Sequence, residues 1–250
     1  MKKAIQIIVN NTGGIGARTD EDKYKEFFQS LEGGAWLPSE ILPTLYYPTR
    51  QDVLRQLVIC ESIGIEYLVI VFSGHGGFIN NNKNTMLCLA GEGERTDCNI
   101  LDRELLTDTQ RRLVILDCCR SRVSSGINML TESAEMVKAG SVSQEILEEL
   151  RSQYDEAILS ASLGTAILYA CAPGFSTTGI DGEGGIFSNR LKDVLLIRKA
   201  LAPYNSNLYT IANALEAIKD RDDLYYPQAY YDDDSLQKLP WFFNIDNIKN

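Results

Sequence analysis

The sequence predicts a single α/β domain in which a mostly parallel β-sheet is flanked by helices on both faces, an α/β/α sandwich. Three observations carry this expectation. Residues 67–72 (YLVIVF) and 113–116 (LVIL) are continuous apolar runs without alternation, the pattern of strands covered on both faces. Helical patterns alternate with such runs as β-α-β-α-β, which favours parallel pairing. The chain has 250 residues, 44% hydrophobic and 23% charged, the composition of a globular protein long enough to bury a full core.

The elements follow in order. Residues 4–9 (AIQIIV) are a β-branched run ending in the turn-prone 10–14 (NNTGG), as expected for a buried strand entering a loop. Thr19 and Asp22 resemble a helix capping box, and Tyr24, Phe27, Phe28 and Leu31 recur at helical spacing, so a helix is predicted near 21–31. Residues 40–47 (EILPTLYY) form a candidate strand that Pro43 demotes to an edge. Thr49 and Asp52 repeat the capping pattern before Val53, Leu54, Leu57, Val58 and Ile63, which predicts a helix over 50–63. Residues 86–90 (MLCLA) read as a short strand or hairpin and 102–109 as a short helix. Between Arg120 and Thr165 lie more than 40 residues rich in Ser, Glu and Gly, helical only around 144–151. A connection of that length inside one domain usually has a function of its own. Residues 165–172 (TAILYACA) read as a further buried strand. Phe187, Leu191, Val194 and Leu195, then Leu208, Ile211, Leu215 and Ile218, mark two amphipathic helices. The apolar stretch 239–243 (LPWFF) is expected to dock on the body.

Charge and cysteine usage narrow the function classes. Lys and Arg number 24 against 34 Asp and Glu, a formal charge of −10, with a pI near 4.7. That field repels phosphate backbones and anionic membranes, so nucleic acid is not expected as a partner. Basic peptides or proteins fit it better, although the same charge also serves plain solubility. No stretch approaches the ~18 apolar residues of a membrane span, and the first residues lack a signal cleavage site, so the chain is expected in the cytoplasm. Of six cysteines, Cys60, Cys88 and Cys171 lie inside apolar runs and read as buried free thiols. With one histidine and no CxxC pair, no zinc or other metal site is expected.

The chemistry concentrates at two strand ends. His75 sits in Ser73-Gly74-His75-Gly76-Gly77 directly after the strongest strand, and Asp117-Cys118-Cys119-Arg120 follows the run 113–116. In an open α/β sheet, ligands and catalysis occupy the crevice at the carboxyl ends of the strands. If the strands run parallel, a thiol and an imidazole meet there as a nucleophile and its base.

YLVIVFSGHGG and LVILDCCRS resemble the histidine and cysteine motifs of the caspase and metacaspase-like cysteine peptidases, whose usual forms are a small residue with Gly-His-Gly after one strand and D-S-C-H-S-G or Q-A-C-R-G after the next. The similarity runs from the first strand to about residue 200, and identities outside the two motifs are weak. It implies one caspase-like domain over 1–250, with a large-subunit-like region over residues 1–122, an intersubunit-like linker over 123–165, and a small-subunit-like region over 166–250.

The resemblance also implies roles. The motif register puts the nucleophile at Cys119, with His75 as base and the backbone N–H groups of Gly76 and Cys119 as the oxyanion hole. Cys118 takes the small-residue position and should point into the core; it and Arg122, where relatives carry glycine, depart from the pattern. Asp117 matches the acid that lines the S1 pocket of metacaspase-like enzymes, which implies cleavage after Arg or Lys; Asp181 or Glu183 would add a second acid. Arg122, Lys138 and Arg151 become candidates for self-cleavage. Some relatives respond to calcium, but Asp232–Asp234 reads as a solvated acidic run and no cofactor is implied. The expected function is limited proteolysis of a protein partner, for example activation of a gasdermin-like pore former in bacterial antiviral defence or cell death. The alternative is a catalytically silent caspase-like module that binds peptides or scaffolds a complex.

Overall fold

The computed structural model describes residues 1–10, 16–79, 83–89, 98–106, 111–121, 143–180, 183–193, 196–197, 207–219 and 226–244. Four parallel strands form its centre: β1 (Lys3–Asn10), β3 (Tyr67–Gly74), β7 (Arg111–Asp117) and β8 (Gly164–Tyr169). The short β2 (Leu45–Tyr46) adds a parallel edge beside β1, and β12 (Gln228–Tyr231) an antiparallel edge beside β8, giving the order β12-β8-β7-β3-β1-β2. The continuous apolar runs are the central strands, as the sequence predicts. The demoted segment around Pro43 is the edge.

Side-chain parity divides the interior into two cores. On one face Ile5, Ile7, Val69, Val71, Leu113 and Ile115 pack with α1 (Gly16–Gln29), α3 (Gln144–Ser160) and α5 (Ile211–Lys219). On the other, Ile8, Leu68, Ile70, Phe72, Val114 and Leu116 meet α2 (Arg50–Ser62) and a small antiparallel sheet. That sheet is β4 (Gly76–Ile79), β5 (Asn84–Cys88) and β6 (Asn99–Leu101), and it absorbs the hairpin expected at 86–90. Burying one large aliphatic or aromatic side chain stabilises by roughly 1.5–3 kcal/mol, so strands covered on both faces hold the molecule's centre.

Several boundaries differ from the sequence reading. α1 begins at Gly16, so Thr19 and Asp22 lie inside it, and the box does not cap. α3 runs to Ser160 instead of fading after 151, because Leu150, Tyr154 and Ile158 form a narrow buried stripe and the Tyr154 hydroxyl donates to the Pro240 carbonyl at 3.0 Å. Leu208 belongs to β11 (Leu208–Thr210), which pairs with β13 (Pro240–Phe243) before α5 begins. Residues 102–105 form only a 3-10 turn, Asp102–Leu105. Cys60 and Cys171 are buried free thiols, whereas Cys88 is half-buried. β9 (Gly179–Ile180) and β10 (Gly184–Gly185) form a hairpin leading into α4 (Ile186–Lys192).

Candidate active site

The site is built where β3 and β7 end side by side, with Ser73 opposite Asp117. A Cβ on Gly74 would overlap the Asn10 carbonyl oxygen, so glycine is required where the chain leaves β3. The half-buried His75 follows, its carbonyl accepting the Cys88 N–H at 3.0 Å. The two motif segments then run against each other: the Phe78 N–H donates to the Ser121 carbonyl at 2.9 Å. A Cβ on Gly76 would lie only 2.7 Å from Cys118 Sγ, so this glycine permits the approach. The loop after β8 closes the third side, with the Arg120 N–H donating to Phe175 O at 2.9 Å and the Gly174 N–H to Arg120 O at 2.7 Å.

The two adjacent thiols have different fates. Cys118 points into the core beside Leu87, Val114 and Leu116, as expected for the small-residue position, and burial pushes its thiol well above the ordinary value. Cys119 is 7% exposed and turned toward the third segment, its Sγ donating to Thr177 O at 3.3 Å. Burial raises its pKa, and hydrogen bonds with Thr177 and Ser176 pull it partly back. Among the described residues no hydrogen bond joins Cys119 to His75. Catalytic hydrogen bonds are often long or unaligned before substrate binds. The arrangement thus holds a protonated thiol and an imidazole on neighbouring segments of one sheet edge.

Arg120 fixes the backbone that carries Cys119. Its buried guanidinium donates to Thr85 Oγ1 (3.0 Å), Cys171 O (3.2 Å) and Gln228 Oε1 (3.2 Å), and stacks 3.9 Å from the Tyr169 ring centroid. The Tyr169 hydroxyl in turn donates to Asp102 Oδ2 at 2.9 Å. Thr85, Asp102 and Tyr169 lie far apart in the chain and no motif links them.

A buried acid pair lies beneath the two segments. Asp117 Oδ2 accepts the Ser188 N–H at 2.9 Å, and Asp20 of α1 accepts Ser73 Oγ at 2.6 Å and the Gly185 N–H at 2.9–3.0 Å. Cβ atoms on Gly184 and Gly185 would overlap the Asp20 and Asp117 carboxylates, so the glycine turn lies directly on both acids. Gly184 also has φ +88°, which favours glycine. Desolvation is the main reason both carboxyls are raised, Asp20 from 3.8 to about 7. Lys192, held low at about 8 by burial, faces them. The sequence reading missed Asp20, since only packing of α1 on the sheet brings it to Asp117. Glu183 precedes the glycine turn, its carbonyl accepting Lys23 Nζ at 2.8 Å; Asp181 lies outside the described residues.

The other candidates have partners away from this edge. Arg151 sits within α3, bonded to Glu40 Oε1 at 2.8 Å and Ala35 O at 2.6 Å, while Arg122 and Lys138 lie outside the described residues. Asp232 accepts the Thr165 N–H at 2.7 Å, and Asp233 accepts that of Ser235 at 2.8 Å. Among the described residues no group of three His, Cys, Asp or Glu side chains is arranged to hold a metal ion.

Comparison with known proteins adds to this geometry. The family model for the caspase domain matches residues 7–245. Caspase-1 from Spodoptera frugiperda superposes with a TM-score of 0.53 at 12% identity, over 92% of this chain and 87% of that one. The Drosophila initiator caspase Dronc aligns at 0.49 and 11% identity, over 97% of this chain and 83% of that one. No curated protein matches the sequence. No helix among the described residues is long and apolar enough to cross a membrane.

Proposed function

The chain belongs to the caspase family of cysteine peptidases, and on that premise we propose that Cys119 is its nucleophile, His75 its base, and a bond after Arg or Lys its target. The observation that carries the reading is the pairing of the two motif segments, Phe78 N–H to Ser121 O at 2.9 Å, at the carboxyl ends of adjacent parallel strands. Substrate entering along that edge displaces the Thr177 contact from Cys119 Sγ. The imidazole takes the thiol proton, and the thiolate attacks the scissile carbonyl carbon. Negative charge collects on the carbonyl oxygen, where the N–H groups of Gly76 and Cys119 are the proposed donors. The protonated His75 gives its proton to the departing amine, leaving an acyl-enzyme that water hydrolyses.

Asp117 is the proposed specificity residue, with Asp20 beside it and Glu183 at the rim of the glycine turn. A carboxylate pair of this kind attracts a guanidinium or ammonium and repels an acidic P1 side chain. Self-cleavage after Arg122 or Lys138 would follow from the same preference. Arg151 is the weaker candidate, because a peptidase needs extended backbone and this residue is helical and ion-paired. Cytoplasmic action on a protein partner, such as activation of a pore former in defence or cell death, completes the proposal.

The test is a fluorogenic peptide panel with Arg, Lys or Asp at P1. Turnover after Arg and Lys is expected, abolished in Cys119→Ala, reduced by about 10²–10⁴ in His75→Ala, and retained in Cys118→Ser. No turnover by a folded wild type on any basic peptide would favour the silent binding module, and turnover after Asp would remove the role given to Asp117.

A further inference from the structure

Lys192 has no role in the reaction described above, yet among the described residues it is the cation beside the acid pair. It ends α4 with its side chain 6% exposed, its Nζ 3.9 Å from Asp20 Oδ1 and 3.8 Å from the Tyr24 ring centroid. Among the described residues the Nζ makes no hydrogen bond. An ammonium carries three donors, and leaving them unpaired in the interior is costly. The compensation available here is charge: two carboxylates share one buried site and would otherwise face each other without a counter-ion.

We infer that Lys192 is the resident counter-ion of the acid pocket, and that the cation of a basic P1 side chain takes its place beside Asp20 and Asp117 when substrate binds. The inference rests on the basic-P1 reading of Asp117. At 3.9 Å the ammonium is held by the field and the Tyr24 ring rather than by a direct hydrogen bond, so a guanidinium that bonds the carboxylates directly makes the stronger pair. One short segment also carries everything that must move. Residues 184–192 supply the glycine turn over both acids, the Gly185 and Ser188 N–H groups bonded to Asp20 and Asp117, and Lys192 itself. Shifting the glycine turn uncovers the acids, while Phe187 and Leu191 keep α4 in the core and Lys192 leaves by rotation of its own side chain. The charged and titratable groups facing Lys192 are Asp20, Lys23 and Tyr24 from α1 and Asp117 from β7, with Ser73 of β3 bonded to Asp20.

The experiment compares peptides identical except for Arg or its neutral isostere citrulline at P1, using wild type and Lys192→Met. The variant is expected to lower KM for the Arg peptide about tenfold relative to its effect on the citrulline peptide, the size of one charge interaction. Because the Lys192 ammonium is depressed to about 8, the wild-type Arg-to-citrulline ratio should rise as pH climbs through 8; a rise that persists in the variant belongs to Asp20, which loses the cation that lowers it. That wild-type titration keeps the test open if Lys192→Met does not fold. An Arg preference that neither Lys192→Met nor pH alters would overturn the counter-ion while leaving the basic-P1 reading standing. No discrimination in either protein would overturn both. Discrimination that appears only in the variant would support the counter-ion.

Discussion

Asp117 and Cys118 are neighbours in the chain, yet they face opposite sides of the sheet, and this alternation separates the acid pair from the apolar core around Leu87. Odd positions of β7 share a face with α1 and α4, so Asp117 meets Asp20, Ser188 and Lys192, while Cys118 joins Leu87 and Val114 in the other core. Asp20 gives the acid pair a pH signature. Its carboxyl is raised from 3.8 to about 7, so the stability it contributes is complete below about pH 4 and is lost as pH climbs through 7. Asp20→Asn holds the neutral form permanently. Denaturant unfolding from pH 4 to 7 should therefore show a shallower decline in the variant, and parallel curves would mean that Asp20 ionises freely in the folded protein. The places of His75, Cys119 and Asp117 at one sheet edge could be read from sequence because each follows a recognisable apolar run. Asp20 and Lys192 could not, since their partners are 97 and 75 residues away in the chain.

At the scale of elements, legibility followed how much of each boundary was local. The helix after Thr49 was readable because its cap is local: Thr49 Oγ1 accepts the Asp52 N–H at 3.2 Å and Asp52 Oδ2 accepts the Thr49 N–H at 3.0 Å. Thr49→Ala should cost about 1 kcal/mol, read as a lower denaturant midpoint at unchanged slope, and no change would show that α2 is held by packing alone. The same pattern at Thr19 misled, because α1 takes its start from burial of Ala17, Asp20 and Tyr24 against the sheet. α3 is the larger miss. Charged residues surround its stripe, and its length is set by distant partners: Pro240 for Tyr154, Glu40 for Arg151, and Lys3 for Asp155 at 2.5 Å.

For the whole molecule, the decisive contact is the return of β13 to α1. Trp241 of β13 stacks on Phe27 with ring centroids 5.0 Å apart, meets Phe28 edge-on at 5.7 Å, and donates its indole N–H to Leu191 O at 2.7 Å. β13 thus ties α1 to α4, the two helices that bring Asp20 and Lys192 to Asp117. Trp241→Ala should destabilise by about 3–5 kcal/mol. A drop below about 1 kcal/mol in equilibrium unfolding would mean that this docking contributes little.

By itself the sequence determined the strands, the parallel sheet, the family motifs and the edge at which His75 and Cys119 emerge, because apolar runs and glycine-bracketed polar residues are local signals. Only the tertiary structure decided which acid joins Asp117, which cation lies beside the pair, and how far α3 extends. Those features depend on desolvation and on charges converging from separate elements, and neither exists until the chain has packed.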